Sequence, residues 1–221
     1  AKKNPHSMGA WSADSKSHVA TMASGDFKSN EKSHTLEKAS RLRIEWHGTD
    51  GSSKILRAEV PVLPGEIVDA SVLEKSALLA FLENQIRDAR EKGVLFSVHL
   101  KASMMKVSDP IIFGHVVLTY FKSLFETYNA ELKALGVNAN DGLESLLEDL
   151  NRLPEEKASA IRQAIQVQMQ KGPDLAMVNS EKGVTNLHVP SDIIIDASMP
   201  AMIRNSGQMW NAQGKPQDKI G

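Results

Sequence analysis

The sequence predicts an α/β protein in which helices flank a sheet, with a β-hairpin and a helical hairpin added to it. Residues 41–62 alternate apolar and polar side chains on either side of a turn cluster. Residues 73–92 carry an apolar stripe at helical spacing, and a near-continuous apolar run follows at residues 94–100. A helix followed so closely by such a strand favours a βαβ-like layer around a buried sheet.

The composition is that of a globular protein with one large core or two small ones. The 221 residues are 41% hydrophobic, and 26 basic side chains balance 27 acidic ones. So small a net charge favours neither nucleic acid nor an anionic membrane as a partner. The absence of cysteine excludes a disulfide scaffold and a thiolate metal site. No apolar run reaches the roughly 20 residues of a membrane helix and no signal peptide is visible, so we expect a cytoplasmic protein.

The first half of the chain divides into two predicted segments. Residues 1–40 are rich in serine, lysine and histidine, and should lie mostly on a surface. Residues 41–136 should hold the hairpin, the first helix, the apolar strand and a long helix that begins at Asp109-Pro110 and ends at Gly136. The histidines of the first segment lack the spacing of a metal site and are predicted to have surface or packing roles; they are His6, His18 and His34.

The second half also divides into two predicted segments. Residues 137–172 should form a helical hairpin whose two amphipathic helices meet at Pro154. Residues 173–221 should hold a strand at 193–196 and a turn-rich tail with no closing element. The chain begins at alanine and ends on that tail, so we expect all four segments to belong to one large domain of a longer polypeptide.

Lys101 is the first candidate for chemistry, because it leaves the end of the predicted strand 94–100. A lysine at that position is most often a solvated end residue. Apolar Met104 and Met105 follow it, and a lysine held against apolar walls has a lowered pKa and can transfer protons. His99 shares its face of the strand, but a hydrogen-bonded core histidine is the favoured interpretation.

Asp196 is the second candidate, because it closes the β-branched run at residues 193–195. The plain alternative is that it caps a helix beginning at Ala197. The functional alternative is an oxygen ligand for Mg²⁺ or Mn²⁺ at the end of a strand. We expect Met199 and Met202 to pack in the core. The chain contains no GxGxxG, Walker-type loop, HExxH or GxSxG motif, so no standard dinucleotide site is visible.

Three long stretches resemble the monomeric NADP-dependent isocitrate dehydrogenases of bacteria. They read PHSMGAWSADSKSHVATM at residues 5–22, VHLKASMMKVSDPIIFGHVV at 98–117 and LAMVNSEKGVTNLHVPSDIIIDASMPAMIRNSGQMW at 175–210. The resemblance implies a segment of the large domain of an isocitrate/isopropylmalate dehydrogenase-like fold. It further implies that the intact enzyme is a monomer that oxidises isocitrate with NADP and Mg²⁺ or Mn²⁺ and yields 2-oxoglutarate and carbon dioxide.

The same resemblance assigns roles to the two candidates. Lys101 matches the family's catalytic lysine, which acts with a tyrosine in proton transfer, and Asp196 matches one of the metal-binding aspartates. The residues that grip isocitrate, the tyrosine, the other metal ligands and the NADP-phosphate contacts are implied to lie elsewhere in the polypeptide. No cofactor-binding residue is therefore assigned here, and the isolated 221 residues are expected to be inactive.

Two other functions remain open at this point. The helical hairpin could serve as a scaffold or interaction surface for the rest of the polypeptide or for another chain. A related metal-dependent 2-hydroxy-acid dehydrogenase could act on a different acid, because the residues that would select the substrate are not in this sequence.

Overall fold

A computed structural model describes residues 9–100, 108–192 and 195–221, apart from the side chains of residues 192–197. It divides into two compact units, one formed by residues 22–78 and the other by the described residues of 1–21 and 79–221. The described part is a mixed α/β structure of helices and small sheets. None of its helices has the length and apolar character needed to cross a membrane.

The smaller unit contains two antiparallel strand pairs. β1 (Lys32–Thr35) pairs with β4 (Ile67–Ala70), and β2 (Ser40–His47) pairs with β3 (Ser53–Val62). The predicted hairpin at residues 41–62 is therefore confirmed. Among the described residues its sheet consists of these two strands, so Pro61 can sit in β3 without interrupting a central ladder.

The predicted first helix is also confirmed. α1 spans Lys75–Lys92, and Gly93 follows it directly. Leu78, Leu82 and Ala89 form its buried stripe, as the apolar spacing predicts.

The predicted long helix is interrupted at two places. It consists of α2 (Ser108–Tyr120), α3 (Lys122–Thr127) and α4 (Asn129–Leu135), and it ends at Gly136 as expected. The first interruption follows Tyr120, whose carbonyl accepts a hydrogen bond from the side-chain amide of Gln168. A side-chain donor there competes with the helical N–H donor, and such insertion into the ladder breaks a helix locally.

Two further helices confirm the amphipathic patterns around Pro154. They are α5 (Gly142–Asp149), extended by a 3-10 turn, and α6 (Glu155–Lys171). Their main contacts differ from those of a simple helical hairpin, because α5 packs on α2 while α6 packs on α3. A hydrogen bond of 2.8 Å between Ser123 Oγ and Gln168 Oε1 joins α3 to α6.

The larger unit contains a three-stranded sheet that positions the candidate site. β5 (Leu95–Phe96) lies beside the tail of the chain, and the predicted strand 94–100 is therefore much shorter than expected. A separate antiparallel pair, β6 (Met177–Asn179) and β7 (Val184–Thr185), precedes α7 (Ile195–Arg204). The sheet is completed by β8 (Gln208–Trp210) and β9 (Pro216–Ile220), and β9 lies between the other two strands.

Two sequence predictions fail in this region. The tail is a strand, β9, which runs parallel to β5 and antiparallel to β8. The predicted strand at residues 193–196 is wrong at Ile195 and Asp196, which belong to α7, while residues 193 and 194 lie outside the described part. An apolar run of this length does not distinguish a strand from a buried helix. Met202 on α7 is 4% exposed and packs with Leu95 and Met209. Burial of this face favours a helix over a strand in this part of the chain.

Candidate functional site

The chain leaves the sheet after Ser97, the residue that follows β5. Ser97 N still donates to the carbonyl of Ile220 at 3.0 Å, continuing the pairing of β5 with β9. The next amide, that of Val98, donates to the side-chain oxygen of Asn186 instead of to a neighbouring strand. Asn186 is 1% exposed, and its own backbone N–H is bound to the carbonyl of Ala176 at 2.8 Å. A fixed side chain therefore replaces the strand partner, which explains why the predicted strand is short.

Four polar side chains meet where the chain leaves the sheet, and we call them the His99 cluster: Ser97, His99, Ser198 and Lys219. His99 Nδ1 lies 2.7 Å from Ser198 Oγ on α7. His99 Nε2 lies 2.8 Å from Ser97 Oγ and 3.0 Å from Nζ of Lys219 on β9. Ser97 Oγ also lies 3.2 Å from the carbonyl oxygen of Ile220. The cluster joins three elements that are far apart in the sequence.

Burial sets the charges in the His99 cluster. Lys219 is 1% exposed, and desolvation lowers its pKa from 10.5 to about 8. Desolvation also lowers the pKa of His99, and the neighbouring Lys219 charge lowers it further, from 6.5 to about 3. At neutral pH His99 is therefore an uncharged imidazole and most Lys219 side chains are ammonium ions. The prediction that His99 is a hydrogen-bonded histidine is confirmed, although its side chain is half-buried and not fully in the core.

The two residues singled out from the sequence flank this cluster along the chain. Lys101 follows His99 by two residues and lies outside the described residues, as do Met104 and Met105. Asp196 precedes Ser198 by two residues and lies in the first turn of α7, so it neither ends a strand nor precedes the helix as a cap.

The structure also shows residues that the sequence patterns did not indicate. Lys219 was missed because QGKPQDKIG has the composition of a turn, and its single large apolar residue gives no alternation by which to recognise a strand. Asn186 and Ser198 were missed because one polar residue in a loop or helix carries no spacing signal. Met199 and Met202 pack in the core around Leu95, as predicted.

The part of the chain that the structure describes contains no complete metal site. No group of three or more histidine, aspartate or glutamate side chains there is close enough to hold a cation. The histidines of the first segment have other contacts: His18 Nδ1 lies 2.7 Å from the carbonyl of Lys16, and its Nε2 lies 3.5 Å from Asp88. His34 lies on β1 and is exposed, and His6 is outside the described residues.

Comparison with known proteins identifies the family. The sequence matches the family described as "Monomeric isocitrate dehydrogenase" over residues 1–221. This chain belongs to the monomeric isocitrate dehydrogenase family.

Individual relatives agree with the family match. The chain is 51% identical over 219 residues to "Isocitrate dehydrogenase [NADP]" of Corynebacterium efficiens, covering 99% of this chain and 30% of the relative. It is 52% identical over 218 residues to the protein of the same name from Azotobacter vinelandii, with 99% and 29% covered. The match to "Isocitrate dehydrogenase [NADP] 2" of Mycobacterium tuberculosis is 46% identical over 218 residues, again with 99% and 29% covered. The chain thus spans about 30% of the length of these curated relatives.

Proposed function

We propose that this chain is a segment of an NADP-dependent isocitrate dehydrogenase, in which Lys101 transfers protons and Asp196 binds a divalent cation. The reaction is the oxidative decarboxylation of isocitrate to 2-oxoglutarate. Membership in the monomeric isocitrate dehydrogenase family supports the reaction. The names of relatives about half identical to this chain support NADP as the oxidant.

The hydrogen bond between His99 and Ser198 supports a shared site for the two residues. Its two atoms are 2.7 Å apart, and it connects the segment after β5 to α7. Lys101 and Asp196 each lie two residues along the chain from one end of this bond. Successive Cα atoms are about 3.8 Å apart, so the covalent chain keeps both residues near the bond.

The chemistry requires a group that moves protons. Hydride can leave the alcohol carbon of isocitrate only when the hydroxyl proton is removed, and the enolate formed by loss of carbon dioxide must later receive a proton at carbon. A lysine with a lowered pKa can serve such steps near neutral pH. We assign Lys101 to these proton transfers, together with a tyrosine from another part of the polypeptide.

The donor at Asp196 suits a hard divalent cation. Carboxylate oxygens are preferred ligands of Mg²⁺ and Mn²⁺, and such ions bind through a few carboxylates together with substrate oxygens. A bound cation would stabilise the negative charge that develops on the substrate oxygen. One aspartate is not a complete site, and the described residues provide no group of three ligands. We therefore propose that the remaining ligands belong to other parts of the intact enzyme, which is a monomer.

Replacement of Lys101 tests the proposed function. In the intact enzyme, Lys101→Met should lower kcat at least about 100-fold, the usual contribution of a general acid–base group. NADPH formation measures the rate. Lys182→Met is the matched control, because it makes the same substitution at a lysine that is exposed in a turn. Full activity of Lys101→Met would refute the assignment.

A second measurement tests the division of the site. The isolated 221 residues should form no NADPH from isocitrate, because the substrate-gripping and cofactor-binding residues are proposed to lie elsewhere. Measurable NADPH formation by the purified segment would contradict that part of the proposal.

A further inference from the structure

We infer that His99 is a positioning residue, which as a neutral imidazole carrying its hydrogen on Nδ1 holds the segment leading to Lys101 against the helix that carries Asp196. This inference rests on the proposed function and adds to it a residue outside the two predicted site positions. His99 acts through Ser198 and through the backbone on either side of it. It is not assigned any contact with substrate.

The first step of the argument is the position of His99. Between Ser97 and the β-bridge at Leu100 the chain is outside the sheet, and the side chain of Asn186 binds the amide of Val98 there in place of a ladder partner. The Nδ1 contact with Ser198 reaches across to α7. A segment held by side chains depends on those side chains for its position, whereas a central strand would be held by its ladder.

The second step is the location of the imidazole hydrogen. An ammonium group is a donor only, so Nζ of Lys219, 3.0 Å away, must donate to Nε2. Nε2 of a neutral imidazole accepts only when the hydrogen is on Nδ1. Nδ1–H therefore donates to Ser198 Oγ. The hydroxyl of Ser97 lies between two acceptors, Nε2 at 2.8 Å and the carbonyl oxygen of Ile220 at 3.2 Å, and can donate its hydrogen to either, which also agrees with a hydrogen on Nδ1.

The third step concerns what this arrangement can do. Both ring nitrogens bind protein groups, so the imidazole has no free nitrogen with which to take a proton from substrate. Its contribution is geometric: it keeps the chain before Lys101 and the first turns of α7 at a fixed separation. Misplacing a reacting group by about 1 Å lowers the rate on the order of 100-fold. Loss of the hydrogen bond between His99 and Ser198 should therefore have a measurable effect on turnover.

Three substitutions of His99 in the intact enzyme separate this role from simple packing. In asparagine the side-chain amide nitrogen occupies nearly the place of Nδ1, so His99→Asn retains a donor toward Ser198. In His99→Gln the amide reaches the place of Nε2 instead, and His99→Leu retains neither group. We expect His99→Asn to keep kcat within about threefold of wild type, while the other two lose roughly 10- to 100-fold.

Two further readouts do not depend on turnover. Mn²⁺ affinity, measured by electron paramagnetic resonance, should fall severalfold in His99→Gln and His99→Leu and stay near wild type in His99→Asn. The imidazole nitrogen shifts of labelled wild-type protein should show the neutral form with hydrogen on Nδ1. This measurement needs no variant and remains decisive if a substitution prevents folding.

Ser198 provides the partner test and His188 the control. Ser198→Ala should lower kcat about as much as His99→Leu, and the double variant should be no worse than either single one, because both remove the same bond. His188 is a buried histidine of the same unit, whose Nδ1 accepts from the amide of Thr185 at 2.9 Å. His188→Gln should lower stability while leaving kcat of the folded enzyme unchanged.

The outcomes distinguish the inference from the proposed function. The inference is overturned if His99→Asn loses as much rate as His99→Leu, if the effects of His99→Leu and Ser198→Ala add, or if the imidazole hydrogen is found on Nε2. Lys101→Met is measured alongside. An inactive Lys101→Met with fully active His99 variants would overturn only the inference, whereas a fully active Lys101→Met would overturn the proposed function itself.

Discussion

Replacing Lys219 with methionine should stabilise the folded protein at neutral pH, even though it removes a hydrogen bond. Lys219 is 1% exposed, and its neighbour in the structure is the neutral His99. Burying an ammonium group without an opposite charge opposes folding. Methionine fills a similar volume without that charge, and the hydroxyl of Ser97, 2.8 Å from His99 Nε2, can donate in its place.

The size of the effect follows from the pKa of Lys219. Its pKa falls from 10.5 to about 8 on folding, which corresponds to about 3 kcal/mol of destabilisation when the group is protonated in both states. That full penalty applies below pH 8. Between pH 8 and pH 10.5 the unfolded chain binds more protons than the folded one, so stability rises with pH. At pH 9.5 the remaining penalty is about 1.4 kcal/mol.

Urea denaturation of the wild type and of Lys219→Met, at pH 7 and at pH 9.5, measures this difference. After about 1 kcal/mol is subtracted for the lost hydrogen bond, the variant should be more stable by about 2 kcal/mol at pH 7 and by less than about 1 kcal/mol at pH 9.5. Lys182→Met, at an exposed position, should show no pH-dependent difference. If Lys219→Met changed stability equally at both pH values, the buried-ammonium explanation would be wrong.

Two further predictions concern the packing of the larger unit. Gly142→Ala should cost at least about 2 kcal/mol in the free energy of unfolding, because φ is 87° and a Cβ would lie 2.0 Å from the carbonyl oxygen of His188. Gly51→Ala, with a similar φ of 82° but open space, should cost only about 1 kcal/mol; equal losses would exclude the steric argument. Tyr120→Phe should cost about 1 kcal/mol in the same urea assay, because its buried hydroxyl donates to the carbonyl of Pro173 at 2.7 Å. An unchanged midpoint would show that this bond contributes nothing.

Elements with a clear period could be predicted from the sequence. The hairpin of β2 and β3, the helix α1 and the helix α6 lie where alternation or helical spacing placed them, because each buries one regular face. The long helix lies where the sequence predicts it, but it consists of three helices, α2, α3 and α4, and is not continuous. Its first break depends on Gln168, which lies 48 residues along the chain from Tyr120 and gives no local signal.

The region of the candidate site was predicted less well, because tertiary contacts decide its structure. The strand before Lys101 is short since Asn186 takes over its hydrogen bonding. The apolar run before Asp196 resembles a strand, yet burial of Met202 favours a helix there. Lys219 lies in a tail of turn-like composition, and the packing of β9 against β5, β8 and the chain around His18 buries it. The roles of Lys101 and Asp196 themselves came from family resemblance and stay predictions.

The central claim is that Lys101 and Asp196 act on one cation-bound isocitrate. Anomalous scattering from Mn²⁺ in crystals of the intact enzyme with isocitrate would test it most directly. We expect the Mn²⁺ peak about 2 Å from a carboxylate oxygen of Asp196, with Nζ of Lys101 within hydrogen-bonding distance of the same isocitrate molecule. A Mn²⁺–isocitrate complex in contact with neither side chain would contradict the account.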